Sequence, residues 1–293
     1  SIYQAIQVCC SPGDEVIIPV PYWVSYPLIV KAAGGCPIFV QTRAEDNWLL
    51  RPDSLRQIIT TKTRILMLTN PSNPTGAVMQ RETLSEIAKI LREPFASHVI
   101  VVADEIYSEL LLDHNLDVVP FASLEGMKNR TLTINGFSKN WAMTGYRVGW
   151  LAGPIAIVKE CVKYQSQITS CACSLSMAAA NAAIRQVPQS EIERNNEILR
   201  KRRDRLYELL SSVKGVVCPK TQGAFYLFVD IQHLIGPNKR FSSSSDVCLW
   251  LLELGVALVP GEPFGNPGCV RISYTASDDM IEKAGQILKK AFQ

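Results

Sequence analysis

An amide, a carboxylate with a phenol, and a lysine with an arginine follow three apolar runs of this chain. Asn73 lies in Asn70-Pro71-Ser72-Asn73-Pro74-Thr75-Gly76, after residues 64–69. Asp104 and Tyr107 lie in Asp104-Glu105-Ile106-Tyr107, after residues 99–103. Ser138 and Lys139 close Gly136-Phe137-Ser138-Lys139, after residues 131–135, and Arg147 follows eight residues later. The chemistry that uses such a set is that of pyridoxal phosphate. Its aldehyde needs a lysine for a Schiff base, and its pyridinium nitrogen needs a carboxylate to stay protonated as an electron sink. Its ring oxygen needs donors such as an Asn amide and a Tyr hydroxyl. Its phosphate needs an arginine and main-chain N–H groups at a helix start.

Taken singly, each group has a plainer reading. NPSNPTG can be a Pro/Gly turn, and Asp104-Glu105 can cap a following helix. Lys139 can be a surface lysine, the usual fate of that residue, and Arg147 can pair with any carboxylate. These readings leave unexplained why the groups fall at successive strand ends.

The elements that must position them are legible as short apolar, β-branched runs at residues 15–19, 37–41, 64–69, 99–103, 131–135 and 148–152, alternating with helical patterns such as 81–91. Near-continuous apolar strands separated by helices imply an α/β domain with a buried, mostly parallel sheet sandwiched by helices. Ligands in such sheets sit beyond the carboxyl ends of the strands. After about residue 185 the character changes. A long charged helix is expected over 191–213, strands at 224–229 and 270–274, helices at 246–254 and from 278 onward, and a flexible loop at 242–245. The chain therefore divides into a large cofactor-binding domain, residues 1–188, and a smaller α+β domain, residues 189–293. The Lys201-Arg202-Arg203 cluster reads as a solvated helix face paired with nearby Glu and Asp.

Composition narrows the function classes. With 47% hydrophobic and 19% charged residues among 293, the chain is globular and long enough to bury a large core. A net charge of +3, without a long basic run, gives no footprint for nucleic acid or an anionic membrane. No run approaches the length of a membrane span, and the first residues do not read as a signal peptide. The nine cysteines include no C-x-x-C pair, and the three histidines lack zinc-like spacing. Most are expected to be small buried residues of a reducing compartment, with no metal site.

NPSNPTG, ADEIYSELL, NGFSKNWAMTGYRVGWLAGP, GAFYLFVD, VALVPGEPFG and CVRISY follow one another along the chain. In that order they resemble the class I aminotransferases of PLP fold type I, over nearly the whole length. SPGDEVIIPVPYWVSYP and RTLTINGFSK are similar to the subgroup of bacterial-type aspartate and plant plastid aspartate/prephenate aminotransferases. The resemblance implies pyridoxal 5'-phosphate as cofactor, with Lys139 as the Schiff-base lysine and proton carrier and Asp104 as the pyridinium partner. Tyr107 and Asn73 would bond the ring oxygen, and Arg147, with Ser138, the phosphate. Trp23 would stack on the ring, and Arg271 would grip the substrate α-carboxylate. Core packing is the alternative for Trp23, and an ion pair for Arg271.

The function implied is transfer of an amino group between aspartate or glutamate and a 2-oxo acid (oxaloacetate, 2-oxoglutarate or prephenate), by a ping-pong route through pyridoxamine phosphate. A C–S lyase, an aminocyclopropane-carboxylate-synthase-like enzyme and a truncated inactive paralogue are the alternatives. The resemblance also implies a homodimer, small-molecule partners, and a soluble intracellular protein of the plastid stroma if the plant likeness holds. Family members begin upstream of Ser1 with an arm, a sheet strand and a glycine-containing turn. A shortened chain with weakened phosphate binding and dimerisation is the corresponding expectation.

Overall fold

The structure is a computed structural model that describes residues 1–293. Its centre is a six-stranded sheet, built from the runs that the sequence marks as apolar. The strands are β1 (Glu15–Val20), β2 (Cys36–Gln41), β3 (Thr63–Thr69), β4 (Ile100–Asp104), β5 (Thr131–Gly136) and β6 (Gly149–Ala152), in the order β2-β1-β3-β4-β5-β6. All pairs are parallel except β5 with β6. Because side chains alternate along a strand, the central strands feed two separate cores. Ile17, Leu66, Leu68, Val101 and Ala103 pack on one face; Val16, Ile18, Ile65, Met67 and Val102 pack on the other. Burial on both faces is why these strands read as continuous apolar runs.

Helices cover the faces. In α4 (Arg81–Arg92), Leu84, Ile87, Ala88 and Leu91 are buried at the spacing of one helical stripe; Glu82 opens the helix and Lys89 and Arg92 close it, as the macrodipole favours. From β1 the chain moves outward to β2 and then crosses back to β3 on the other side. That reversal opens a crevice at the carboxyl ends of the strands.

The C-terminal part builds its own core. A 23-residue helix, α7 (Gln189–Ser211), packs on α9 (Asp278–Ala291). Strands β7 (Tyr226–Asp230), β8 (Val259–Pro260) and β9 (Cys269–Ser273) form an antiparallel sheet in the order β7-β9-β8. Leu206, Leu210, Leu227, Val229, Val270, Ile272 and Phe292 share one buried cluster there.

Two sequence expectations need correction. Residues 242–245 are not a flexible loop. Ser243 caps α8 (Ser244–Glu253) by accepting from the Asp246 amide at 3.1 Å, and the fully buried Ser244 hydroxyl accepts from the Gly261 amide at 2.9 Å and donates to Glu262. The Lys201-Arg202-Arg203 cluster is paired with acids as expected, but it is not all solvated. Arg203 is buried, and its guanidinium reaches Asp113, Asp204 and the Thr221 carbonyl. Six of the nine cysteines are buried, and all are free thiols.

Candidate active site

The crevice at the strand ends contains a cavity of about 420 Å³, and all eight candidate residues line it: Trp23, Asn73, Asp104, Tyr107, Ser138, Lys139, Arg147 and Arg271. Each arrives on a segment whose own bonds fix it. Asn70 clamps the loop after β3, with its amide donating to the Met79 carbonyl at 2.9 Å and accepting from the Met79 N–H at 2.8 Å. The Pro-rich segment is thus both a turn and a site element: Asn70 holds the turn and Asn73 faces the cavity. Asp104 ends β4 and does not cap a helix; its Oδ1 accepts from the Ile106 amide at 3.3 Å. Lys139 follows β5 and is half-buried, with Nζ 5.4 Å from the centre of the Phe225 ring. Arg147 has a left-handed backbone (φ 51°) after a single helical turn, and its guanidinium donates to the Thr144 carbonyl at 2.8 Å.

Arg271, on β9, reaches across from the smaller sheet. Its guanidinium lies 4.5 Å from the centre of the Tyr226 ring and 4.9 Å from that of Phe264, and donates to Asn73 Oδ1 at 3.0 Å. A guanidinium can only donate, so this bond turns the Asn73 amide NH₂ away from Arg271. Arg271 Nε is buried without a partner.

Burial, the main cause, and then the positive charges of Arg271 and Arg147 push the Lys139 ammonium below its ordinary pKa. A lysine so placed is more readily available as a neutral amine. Burial pushes Asp104 up, opposed by its bonds from Tyr26 and the Ile106 amide. Burial also raises the Tyr107 phenol, so it stays a hydrogen-bond donor at neutral pH.

Tyr26 and Tyr226 were not among the sequence candidates, and both line the cavity. Tyr26 donates to Asp104 Oδ2 at 2.6 Å and contacts Thr69 Oγ1 at 2.8 Å; its ring meets the Trp23 ring edge-on, with centroids 5.4 Å apart. Tyr26 lies in the same PYWVSYP run as Trp23, which was the available signal.

The donor set fits pyridoxal phosphate. Neither Lys139, Arg147 nor Arg271 takes part in an ion pair with a carboxylate of the chain. Three basic side chains without acidic partners line a cavity that also holds one buried carboxyl, a lining that suits a ligand with anionic groups at separate points.

Fold and cavity together define an α/β protein with a cleft, lined by a lysine and two arginines, between a large and a small sheet. The chain belongs to the aminotransferase class I and II family, whose profile matches residues 1–288. It is 42% identical over 299 residues to the bifunctional aspartate aminotransferase and glutamate/aspartate-prephenate aminotransferase of Petunia hybrida, covering 99% of this chain and 62% of that protein. It is 43% identical over 296 residues to the aspartate aminotransferase of Pinus pinaster, covering 98% of this chain and 59% of that protein. The chain thus spans about 60% of the length of these relatives. Among solved structures, the aspartate aminotransferase of Rhizobium meliloti superposes with a TM-score of 0.91 at 38% identity, covering 99% of this chain and 73% of that one. The aromatic aminotransferase of Pyrococcus horikoshii OT3 gives 0.90 at 35% identity, covering 99% and 76%. Aminotransferases of this class use pyridoxal phosphate, in line with the residues that line the cavity. No helix is long and apolar enough to cross a membrane.

Proposed function

We propose that this chain carries the catalytic body of a pyridoxal-phosphate aminotransferase, acting between aspartate or glutamate and a 2-oxo acid. The observation that carries this reading is the single cavity that gathers a lysine amine, a buried carboxyl, an amide, a phenol and two guanidinium groups without acidic partners. When bound, the cofactor supplies the aldehyde that takes up the amino group and the pyridinium that withdraws electrons. The residues do the rest. Lys139 would anchor the cofactor until the amino donor's nitrogen displaces it, and the Nζ so freed would take the proton from the donor's Cα. Asp104, which accepts from Tyr26, would pair with the ring nitrogen and hold its proton. The Asn73 amide NH₂ and the Tyr107 hydroxyl donate to the ring oxygen, Arg147 and Ser138 hold the phosphate, and Trp23 covers the ring face. Arg271 receives the α-carboxylate in the plane of its guanidinium, through the terminal nitrogens that face the cavity.

The choice of aspartate, and of prephenate as one acceptor, rests on the sequence relatives, since the aromatic aminotransferase shares the fold equally well. We divide the chain at residues 188 and 189, where α7 begins to carry the smaller core. A homodimer is supported by large apolar side chains left exposed along β6 and the two helices after it: Trp150, Ile155 (74% exposed), Val162, Leu175 (78%) and Ile184. The plastid reading rests on the likeness to the plant proteins.

The test is the half-reaction. Protein loaded with pyridoxal phosphate should absorb in the visible, and Lys139→Ala should abolish that band. Aspartate alone, without acceptor, should bleach it and release one oxaloacetate per site. A band that survives in Lys139→Ala overturns the lysine assignment. Bleaching without oxaloacetate overturns transamination in favour of a lyase.

A further inference from the structure

Tyr226 touches both halves of the site, and none of the roles assigned above uses it. It lies on β7, where Tyr226 pairs with Ser273 of β9 and Phe228 pairs with Arg271. Tyr226 and Phe228 therefore share a sheet face, and Arg271 sits diagonally across from Tyr226. The guanidinium lies 4.5 Å from the Tyr226 ring centre, with Phe264 flanking it at 4.9 Å. At its far end, the Tyr226 hydroxyl is 3.3 Å from the Tyr107 hydroxyl, and both residues are buried.

We propose that Tyr226 is a positioning residue that couples the two binding groups: its ring orients Arg271 for the substrate carboxylate, and its hydroxyl donates to Tyr107 so that Tyr107 donates to the cofactor's ring oxygen. The inference rests on the transaminase reading above. The ring argument is geometric. A guanidinium flanked by aromatic rings is held by their faces and takes its remaining partners within its own plane. Asn73 occupies one in-plane position at Nη1, and Nη2, which is neither buried nor bonded within the chain, offers another.

The hydroxyl argument follows from proton counting. Each phenol has one proton to donate. If the Tyr107 proton goes to the ring oxygen, the only proton available between the two phenols is that of Tyr226. A bond donated to Tyr107 polarises it and strengthens its own donation. Tyr226 thereby stabilises an anionic ring oxygen without touching it. A residue that merely filled the core would have no such effect.

Two substitutions separate the two ends of the side chain. Tyr226→Phe keeps the aromatic face and removes the donor. The pH at which the bound cofactor's visible absorption titrates should rise by roughly half a unit, with KM for the amino donor within about twofold of wild type. Tyr226→Leu removes the face, and KM for all amino donors alike should rise by roughly five- to thirtyfold. Tyr226→Met supplies the same readout if the Leu variant fails to fold, as judged by thermal melting.

An unmoved titration in Tyr226→Phe overturns the relay, and an unchanged KM in the Leu or Met variant overturns the orienting role. The transaminase reading is scored separately on the wild-type protein, by its Lys139-dependent absorption and its release of oxaloacetate. Wild-type protein that passes both controls while the Tyr226 variants behave like it would overturn this inference alone. A wild type without the Lys139-dependent band overturns both.

Discussion

The Tyr26 hydroxyl donates to Asp104 Oδ2 across 2.6 Å, and the two residues are 2% and 5% exposed. A carboxylate can only accept, so the Tyr26 proton is committed, and the Thr69 hydroxyl, 2.8 Å away, must donate to Tyr26 in turn. The result is a directed chain, Thr69 to Tyr26 to Asp104, ending on a buried anion. That chain offsets part of the cost of burying a charge, but burial still dominates and raises the pKa of Asp104.

Asp104→Asn is therefore expected to separate stability from function. A carboxyl whose folded pKa is raised destabilises the fold as pH rises from the unfolded value through the folded one. Asn removes that cost and can still accept from Tyr26, giving up only the longer 3.3 Å bond from the Ile106 amide. The cofactor-free variant should melt at a higher temperature than wild type at pH 7, with the advantage lost toward pH 3. Transamination should fall by several orders of magnitude, far beyond the roughly fivefold that loss of a ~1 kcal/mol hydrogen bond gives. Scanning calorimetry at the two pH values and single-turnover kinetics check the two halves. A tenfold or smaller loss of rate with the cofactor bound would leave Asp104 a structural residue.

Arg271→Lys keeps the charge and loses the fork. A lysine ammonium cannot make the parallel pair of bonds that a planar carboxylate accepts, and it stacks poorly between Tyr226 and Phe264. Loss of a charge-assisted bond worth roughly 1.5–3 kcal/mol predicts a ten- to hundredfold fall in kcat/KM. The fall should be equal for aspartate, glutamate and a monocarboxylic donor, because all share the α-carboxylate. A fall confined to the dicarboxylic donors would show that Arg271 reads the side chain instead.

The parts of this molecule legible in its sequence are those whose environment is uniform along the chain. The strands of the large sheet are buried on two faces, so β3 and β4 appear as unbroken apolar runs, and Asn73, Asp104 and Lys139 stand out as the polar punctuation that follows them. Tyr26 and Tyr226 carry no such signature. One opens a helix and the other lies within a strand, where an aromatic residue is ordinary. Their partners lie 78 and 119 residues away, so only the folded chain reveals the bonds. The burial of Arg203 and Ser244 is hidden in the sequence for the same reason: beyond its neighbour Asp204, Arg203 meets Asp113, 90 residues upstream, and the amide that meets Ser244 lies 17 residues downstream.

Arg203 itself gives a prediction about the join between α7 and the rest of the fold. Its guanidinium bridges Asp113, Asp204 and the Thr221 carbonyl from a fully buried position. Arg203→Ala leaves Asp113 and the Thr221 carbonyl without their donor, while Asp204 keeps Lys220 at 3.0 Å. It should cost about 3 kcal/mol, the lower end for a broken buried pair because both acids keep some contact with water. Urea unfolding should show the loss, while kcat at low temperature stays within about twofold, since no residue of the cavity is touched. A loss below about 1 kcal/mol would mean that water replaces the guanidinium freely.

Glu105 follows Asp104 and points away from the cofactor cavity into a second one, of about 310 Å³, where its Oε1 accepts from the Phe121 amide at 3.0 Å. Burial, together with the neighbouring Asp104 charge, pushes its carboxyl from 4.5 up to about 6, against the pull of that amide. The folded state therefore holds the Glu105 proton more tightly than the unfolded chain does. Stability is fully present below about pH 4.5 and is lost as pH rises through about 6. Glu105→Gln keeps the acceptor for Phe121 and never ionises. It should be more stable than wild type by about 2 kcal/mol at pH 7 and no different at pH 4. Urea titrations of the cofactor-free proteins at both pH values measure the difference. A gain that is the same at pH 4 and pH 7 would assign the effect to packing and not to the titration of Glu105.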